Sequence, residues 1–181
     1  MVTRPGRFNA KLAWLAVLLA AGCSTIGEKR DKSVAALRVH LEVPADTMGR
    51  SAKVPIYRAQ PVMFNVENNP FLHEGFVQEA KVIEVTGGFA LQIQFDHRGT
   101  MLLEQYSARN PGKHFAVWAQ FGKKPLHDRW LAAPKVGRRI PDGLLVFTPD
   151  ATREETEKIA IGLNNVVGNT QPKAKPEPKE K

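Results

Sequence analysis

The pair Gly87-Gly88 constrains the fold of this chain more than any other short stretch. The residues before it, 81–86, and after it, 89–95, are rich in β-branched or aromatic side chains. Two consecutive glycines suit the positive φ angles of a tight turn between antiparallel strands. In the second arm apolar and polar side chains alternate, which predicts one buried face and one polar face. We therefore predict a β-hairpin with Gln92 and Gln94 on its polar face.

Two amphipathic helices are predicted after this hairpin. Asp96 can cap the first, over residues 97–108, because its carboxylate can accept a hydrogen bond from a backbone N–H of the first turn. Thr152 and Glu155 have the spacing of a capping box, which starts the second helix. That helix places its apolar residues on one stripe and ends at Gly168.

The other segments are mostly extended. Beside the hairpin and the two helices, the pattern predicts a strand over 37–43, short extended pieces over 56–57 and 62–66, a brief helix over 73–80, a strand over 114–121, a polar loop over 122–130, and extended segments over 131–140 and 144–148. Half-polar strands joined by hairpins indicate an α+β fold. We expect a mostly antiparallel sheet with both helices packed on one face, as in ferredoxin-like folds.

The amino end has the three regions of a signal peptide. Three basic residues precede the apolar run 12–22, which is too short for a permanent membrane span of about 20 residues. The run ends at Cys23, the single cysteine of the chain. Residues 19–23, Leu-Ala-Ala-Gly-Cys, resemble the bacterial lipobox, although Ala20 stands where leucine is usual. We predict a signal peptide over 1–22, with a plain secretory cleavage nearby as the alternative.

The lipobox resemblance implies cleavage between Gly22 and Cys23 and acylation of that cysteine. Two or three acyl chains anchor a protein to a membrane stably, whereas one chain binds marginally. Ser24 follows the cysteine, and in diderm bacteria the resemblance then implies the outer membrane. The expected location is the bacterial envelope, with a polar tether over 23–33 and the folded domain in the periplasm.

The net charge of +8 does not describe the predicted folded part. Three basic residues belong to the signal peptide, and the tail over 169–181 has four lysines against two glutamates. Residues 23–168 then have 19 basic and 16 acidic side chains, a net charge of +3. The tail, rich in proline and lysine, is expected to be disordered. No nucleic-acid partner is predicted, because a basic face is not indicated.

The stretch from about residue 70 to 166 resembles the head subdomain of the first periplasmic domain of SecD, a subunit of the bacterial preprotein translocase. The matching positions are Pro70-Phe71-Leu72, Ala80, Gly87-Gly88, Phe95, Gly99, Asn110-Pro111-Gly112-Lys113, Phe115-Ala116-Val117, Ala132-Ala133-Pro134, Phe147-Thr148, Thr152 to Glu155 and Leu163. The resemblance implies a SecD-head-like domain over 70–168, preceded by a short extended β segment over 34–69.

The departures from SecD bear on function. This sequence has no apolar run after residue 22 that would supply SecD's membrane-spanning helices, and SecD's glycine-rich hairpin before the last strand is reduced to Pro141-Asp142-Gly143. The resemblance therefore implies a head-like module, whose role in SecD is contact with unfolded polypeptide emerging into the periplasm, and it does not imply translocase activity. We expect a non-catalytic domain that binds polypeptide or an envelope protein.

The predicted binding face consists of polar and aromatic residues on two strands. Its members are Gln92, Gln94, Trp118 and Gln120. A second arrangement, a nucleic-acid or peptide platform, would require Trp118 and Trp130 to share a face near basic residues. The basic residues concerned are Lys123, Lys124 and Arg129.

No catalytic, metal-binding or cofactor-binding residues are predicted. The five histidines are scattered, and none has a second ligand at metal spacing. His97 lies beside Asp96 at a strand-to-helix junction, where a capping turn is the ordinary interpretation. The alternative function is an envelope enzyme acting on cell wall or lipid. It would require a deep pocket in which His97, His114 or His127 lies beside carboxylates.

Overall fold

A computed structural model of the chain describes residues 33–46, 48–122 and 126–170. Within these ranges the elements, in chain order, are β1 (Ala36–Leu41), β2 (Ser51–Ile56), β3 (Val62–Glu67), β4 (Leu72–His73), a 3-10 turn (Glu74–Phe76), β5 (Val77–Val85), β6 (Gly88–Phe95), α1 (His97–Arg109), β7 (Phe115–Phe121), β8 (His127–Ala132), β9 (Leu144–Phe147) and α2 (Arg153–Thr170).

The strands form three antiparallel sheets. The first has four strands in the order β4-β1-β7-β8, the second is the hairpin β2-β3, and the third has the order β5-β6-β9. β1 pairs with β7 along its whole length, from Ala36 opposite Gln120 to Leu41 opposite Phe115. The segment 34–69 and the domain over 70–168 therefore share one sheet.

The predicted hairpin is confirmed as β5 and β6. Val85 lies opposite Gly88, so the two turn residues are Thr86 and Gly87, one position before the predicted Gly87-Gly88 pair. Gly87 has a φ of +85°, which favours glycine. Both helix caps are confirmed as well. The Asp96 carboxylate accepts a hydrogen bond from the Gly99 N–H at 2.7 Å, and the Glu155 carboxylate accepts from the Thr152 N–H at 2.9 Å.

One main core joins the two larger sheets and the helices. The inward residues of β1 and β7 pack with those of β6, and both helices contribute to the same cluster, α1 through Leu103 and α2 through Ile159, Ala160 and Leu163. These α2 residues belong to the predicted apolar stripe. A smaller cluster contains Ile56 and other residues between the β2-β3 hairpin and the four-stranded sheet. The α+β fold with antiparallel sheets and two helices is thus confirmed.

The helix predicted over 73–80 is wrong. Glu74–Phe76 form a single 3-10 turn, and β5 begins at Val77. A bulge between Val77 and Glu79 inserts one extra residue in β5, so Val77 and Ala80, three apart, are both buried. That spacing imitates a helical stripe.

The loop predicted over 122–130 is also too long. β8 begins at His127, and its polar residue Arg129 is accommodated because it pairs with Glu155 of α2 at 2.6 Å. The extended segment predicted over 131–140 belongs to β8 only as far as Ala132. Beyond it, Lys135 forms an isolated antiparallel bridge with His114.

Candidate functional site

The structure divides the four residues of the predicted binding face between two sheets. Gln92 and Gln94 lie on β6 of the three-stranded sheet, and Trp118 and Gln120 lie on β7 of the four-stranded sheet. In each strand the alternate residues belong to the main core. The four residues therefore form two separate pairs, each on the outer face of its own sheet.

On the three-stranded sheet, Gln92 lies between Lys81 of β5 and Val146 of β9. Gln94 is held in place, because its side-chain amide donates to the Asp142 carbonyl at 2.9 Å. This outer face offers a mixture of amide, ammonium and aliphatic groups, of which Val146 is 40% exposed.

On the four-stranded sheet, Trp118 lies between Arg38 of β1 and Trp130 of β8. The two tryptophans therefore share a face, as the platform arrangement requires. Arg38 pairs with Glu74, and Trp130 meets His40 edge to face at 5.2 Å between ring centroids. The half of this face near Trp130 is covered by the β2-β3 hairpin, which leaves Trp118 partly exposed.

The basic residues of the predicted platform are not gathered on this face. Arg129 lies opposite Ala119, which belongs to the core side of the sheet, and its guanidinium lies over the Phe121 ring at 5.2 Å. Lys123 and Lys124 lie outside the described residues. The aromatic pair thus lacks the Arg129 charge on its own face.

The three histidines of the enzyme alternative lie on different elements. His97 is the exposed first residue of α1, and His127 is the exposed first residue of β8. His114 contacts a carboxylate, with its Nδ1 at 2.7 Å from Glu42 Oε2, and the same oxygen accepts from the His114 N–H at 2.9 Å. This pair joins the end of β1 to the start of β7.

In the described ranges, no three histidine, cysteine or acidic side chains are grouped closely enough to hold a metal ion. Three grooves are open to solvent, of about 640, 860 and 750 Å³, and none of the three is lined by a histidine. The first follows α1, the second lies between β9 and residues 134–142, and the third lies by the loop that follows β1. No sequence motif indicated the second groove. The only available signal was Val146, an apolar residue on the polar side of a short strand.

His40 is a half-buried titratable group with a structural consequence. Burial lowers the pKa of the His40 imidazole below 6.5, with a smaller opposing effect of its hydrogen bond to the Glu67 carbonyl at 2.7 Å. Burial likewise lowers the pKa of His73, with a further contribution from Arg38. The neutral imidazole is therefore the form that the fold accommodates.

We expect the free energy of unfolding to fall as the pH drops below 6.5, because the unfolded chain then takes up protons that the folded His40 resists. Above that pH both states hold the neutral ring, so the stability is retained there. His40→Gln should remove part of the loss, and His73→Gln should remove a further part. Urea unfolding from about pH 8 to about pH 5 measures this. The comparison of His40→Gln with the original chain at about pH 8 is the control, because a difference at that pH does not come from protonation of this ring.

Several predicted sites lie outside the described residues. These are the signal peptide over 1–22, the Gly22-Cys23 cleavage and lipidation site, Ser24, most of the tether, and the tail from residue 171. Among the residues that are described, neither helix is both long and apolar enough to cross a bilayer.

No protein-family model matches this chain, and no curated protein matches its sequence. Its fold is similar to a structure of SecDF, a membrane component that enhances protein export, with a TM-score of 0.52, 17% identity, and coverage of 91% of this chain and 72% of that chain. A crystal structure of SecDF in the super-membrane-facing form is similar with a TM-score of 0.51 and 18% identity, covering 72% of this chain and 19% of that chain. The SecD-like α+β fold predicted from the sequence is confirmed at the level of the fold.

Proposed function

We propose that this chain is a lipid-anchored protein of the bacterial envelope whose non-catalytic domain binds polypeptide, or an envelope partner protein, in connection with protein export. The observation that carries the proposal is the similarity in fold to SecDF, a component that enhances export. The lipobox pattern ending at Cys23 supports the anchor, and Ser24 supports the outer membrane if the organism is diderm.

The outer faces of the two larger sheets suit this role. Each presents amides beside an apolar group, Gln92 beside Val146 on one and Gln120 with Trp118 on the other. Amides and aromatic rings contact many different sequences, because both peptide groups and apolar side chains are common to all polypeptides. A binding module for unfolded chains requires that tolerance.

Photocrosslinking in living cells tests the proposal. A photoreactive residue is placed at Gln92 or at Trp118 of the full chain, with Arg109, exposed at the end of α1, as the control position. We expect many exported polypeptides, or one recurrent envelope protein, to be captured from the first two positions and not from the control. Capture of neither, or equal capture from all three positions, would contradict the proposal.

The anchor has a separate test. Cys23→Ala should leave the protein uncleaved or release it from the membrane fraction, since the thiol is the predicted site of acylation. Metabolic labelling with a fatty acid, followed by fractionation, distinguishes the two products. A variant that remained labelled and in the same membrane fraction would contradict the anchor and leave polypeptide binding untouched.

A further inference from the structure

A groove of about 860 Å³ separates β9 from the segment 134–142. Phe115, at the start of β7, lines it as well, so the groove lies where the four-stranded and three-stranded sheets meet. One side is the edge strand β9, and the other is a segment that meets the chain before β7 at the isolated bridge between Lys135 and His114. The backbone hydrogen bonds decide which peptide groups each side presents.

On one side lies the open edge of β9. The Phe95 N–H of β6 donates to the Gly143 carbonyl at 3.0 Å, and Ile93 lies opposite Leu145. In an antiparallel pair, the peptide groups of every second residue face the partner strand. Those of Gly143 face β6, so those of Val146, an odd number of residues away, point away from it. Among the described residues no other strand pairs with β9. Its edge is therefore available for a further strand.

The opposite side has the same property at Lys135. The Phe115 N–H donates to the Pro134 carbonyl at 3.0 Å, and the Val136 N–H donates to the Lys113 carbonyl at 2.8 Å. By the same alternation, the peptide groups of Lys135 point away from β7. Outward-pointing peptide groups thus border the groove on both sides, and on the β9 side they belong to a sheet edge, which is a template for strand addition.

The wall of the groove is fixed before any ligand binds. The Ile140 N–H donates to the Ser107 hydroxyl at 2.9 Å, and that hydroxyl, on a side chain buried in α1, donates in turn to the Glu104 carbonyl. Arg139 pairs with the Glu104 carboxylate. Because these bonds fix the segment 139–140 to α1, the groove keeps its shape without a ligand. Binding therefore costs little conformational entropy of the protein.

The charge of the rim indicates which chain would bind. Lys135 and Arg138 are exposed, and neither pairs with a carboxylate among the described residues. The one carboxylate on the groove, that of Asp142, accepts from the Leu144 N–H at 3.1 Å, and the basic residues Lys135, Arg138 and Arg139 outnumber it. The tail over 169–181 has four lysines and two glutamates and is therefore positively charged. The basic rim would repel it, so the tail is not the expected ligand.

We infer that an extended polypeptide segment with alternating acidic and aliphatic residues adds as a strand to the open edge of β9, with its acidic side chains near Lys135 and Arg138. This inference rests on the proposed function and names its site and substrate class. Main-chain hydrogen bonds would supply affinity for many sequences, and the basic rim would supply the preference.

The test measures binding of the purified, detergent-solubilised full chain to fluorescein-labelled peptides of about eight residues by fluorescence anisotropy. The probe alternates glutamate and valine. One matched peptide has lysine in place of glutamate, and another carries N-methyl groups on every second amide, which removes the donors of one strand edge. We expect each matched peptide to bind about tenfold more weakly than the probe.

Two variants of one residue locate the binding. Val146→Pro removes the N–H that the edge offers, and Val146→Thr keeps it. The proline variant should bind the probe about tenfold more weakly than the threonine variant, with far-UV circular dichroism showing that both are folded. If the N-methylated peptide and the proline variant bound as the originals do, the inference would be wrong, while capture at Gln92 or Trp118 would still support the proposed function. If the chain formed a dimer without peptide and Val146→Pro abolished that dimer, a second copy would occupy the edge of β9. That result would also overturn the inference.

Discussion

Replacing Gly143 with alanine is expected to lower the free energy of unfolding by about 3 kcal/mol. Two independent effects act at this position. Its φ of +68° disfavours any side chain, and an added Cβ would meet Thr100 of α1, with the Thr100 Cβ at 2.9 Å and its hydroxyl oxygen closer. Rotating Thr100 would move the hydroxyl but not the Cβ, so the backbone of α1 or of the turn at Gly143 would have to shift.

Gly87→Ala is the matched control for this prediction. Gly87 has a φ of +85°, but an added Cβ would have open space around it, so only the backbone effect remains, about 1 kcal/mol. Urea unfolding of the two variants, followed by circular dichroism, gives the difference. Equal destabilisation by the two substitutions would show that Thr100 of α1 does not lie as close to Gly143 as the structure has it.

Gly162→Ala is expected to destabilise the fold by about 2 kcal/mol, although alanine is the better helix former. An added Cβ on this residue of α2 would lie 2.8 Å from both the backbone nitrogen and the Cβ of Ala35. Because one of these atoms belongs to the backbone just before β1, the clash cannot be relieved by a side-chain rotation.

The control for this second prediction is the same substitution in the same helix. Gly168→Ala meets nothing within 4 Å, so only the helix propensity changes, and stability should rise by about 0.5 kcal/mol. The two variants should therefore move the urea midpoint in opposite directions. A rise in both cases would mean that α2 does not approach Ala35 as closely as the structure has it.

Features that depend on neighbours in sequence could be predicted. The β5-β6 hairpin, the Asp96 cap and the capping box of Thr152 and Glu155 each depend on residues no more than a few positions apart. The hairpin is confirmed with its turn at Thr86-Gly87, one residue before the predicted pair, and both caps are confirmed. These features depend on local chemistry, because the backbone groups of each turn or cap are hydrogen-bonded by residues close to them in sequence.

Features that depend on distant contacts could not be predicted in the same way. Just after the bulge in β5, the side-chain amide of Asn164 of α2 accepts from the N–H of Ala80 and donates to its carbonyl, both at 2.8 Å. Nothing near Ala80 in the sequence indicates that partner. The sequence predicts a loop at the polar start of β8 for the same reason, since Arg129 pairs with Glu155 only in the folded chain.

The division of the predicted binding face has a similar cause. Period-two alternation shows correctly that Gln92 and Trp118 point away from the core, but it does not show which strands pair. β6 and β7 belong to different sheets, because β7 pairs with β1 across a separation of about 80 residues along the chain. The open edge of β9 is likewise defined by the absence of a neighbouring strand, which only the topology reveals.

Hydrogen–deuterium exchange of the full chain, with and without a permanently unfolded polypeptide, tests the central claim most directly. The claim is that the folded domain binds extended chains. Added polypeptide is expected to slow exchange at the amides of β9 and at Lys135, while amides at the end of α1 stay unchanged. Identical exchange with and without the polypeptide, at every amide of the described domain, would contradict the claim.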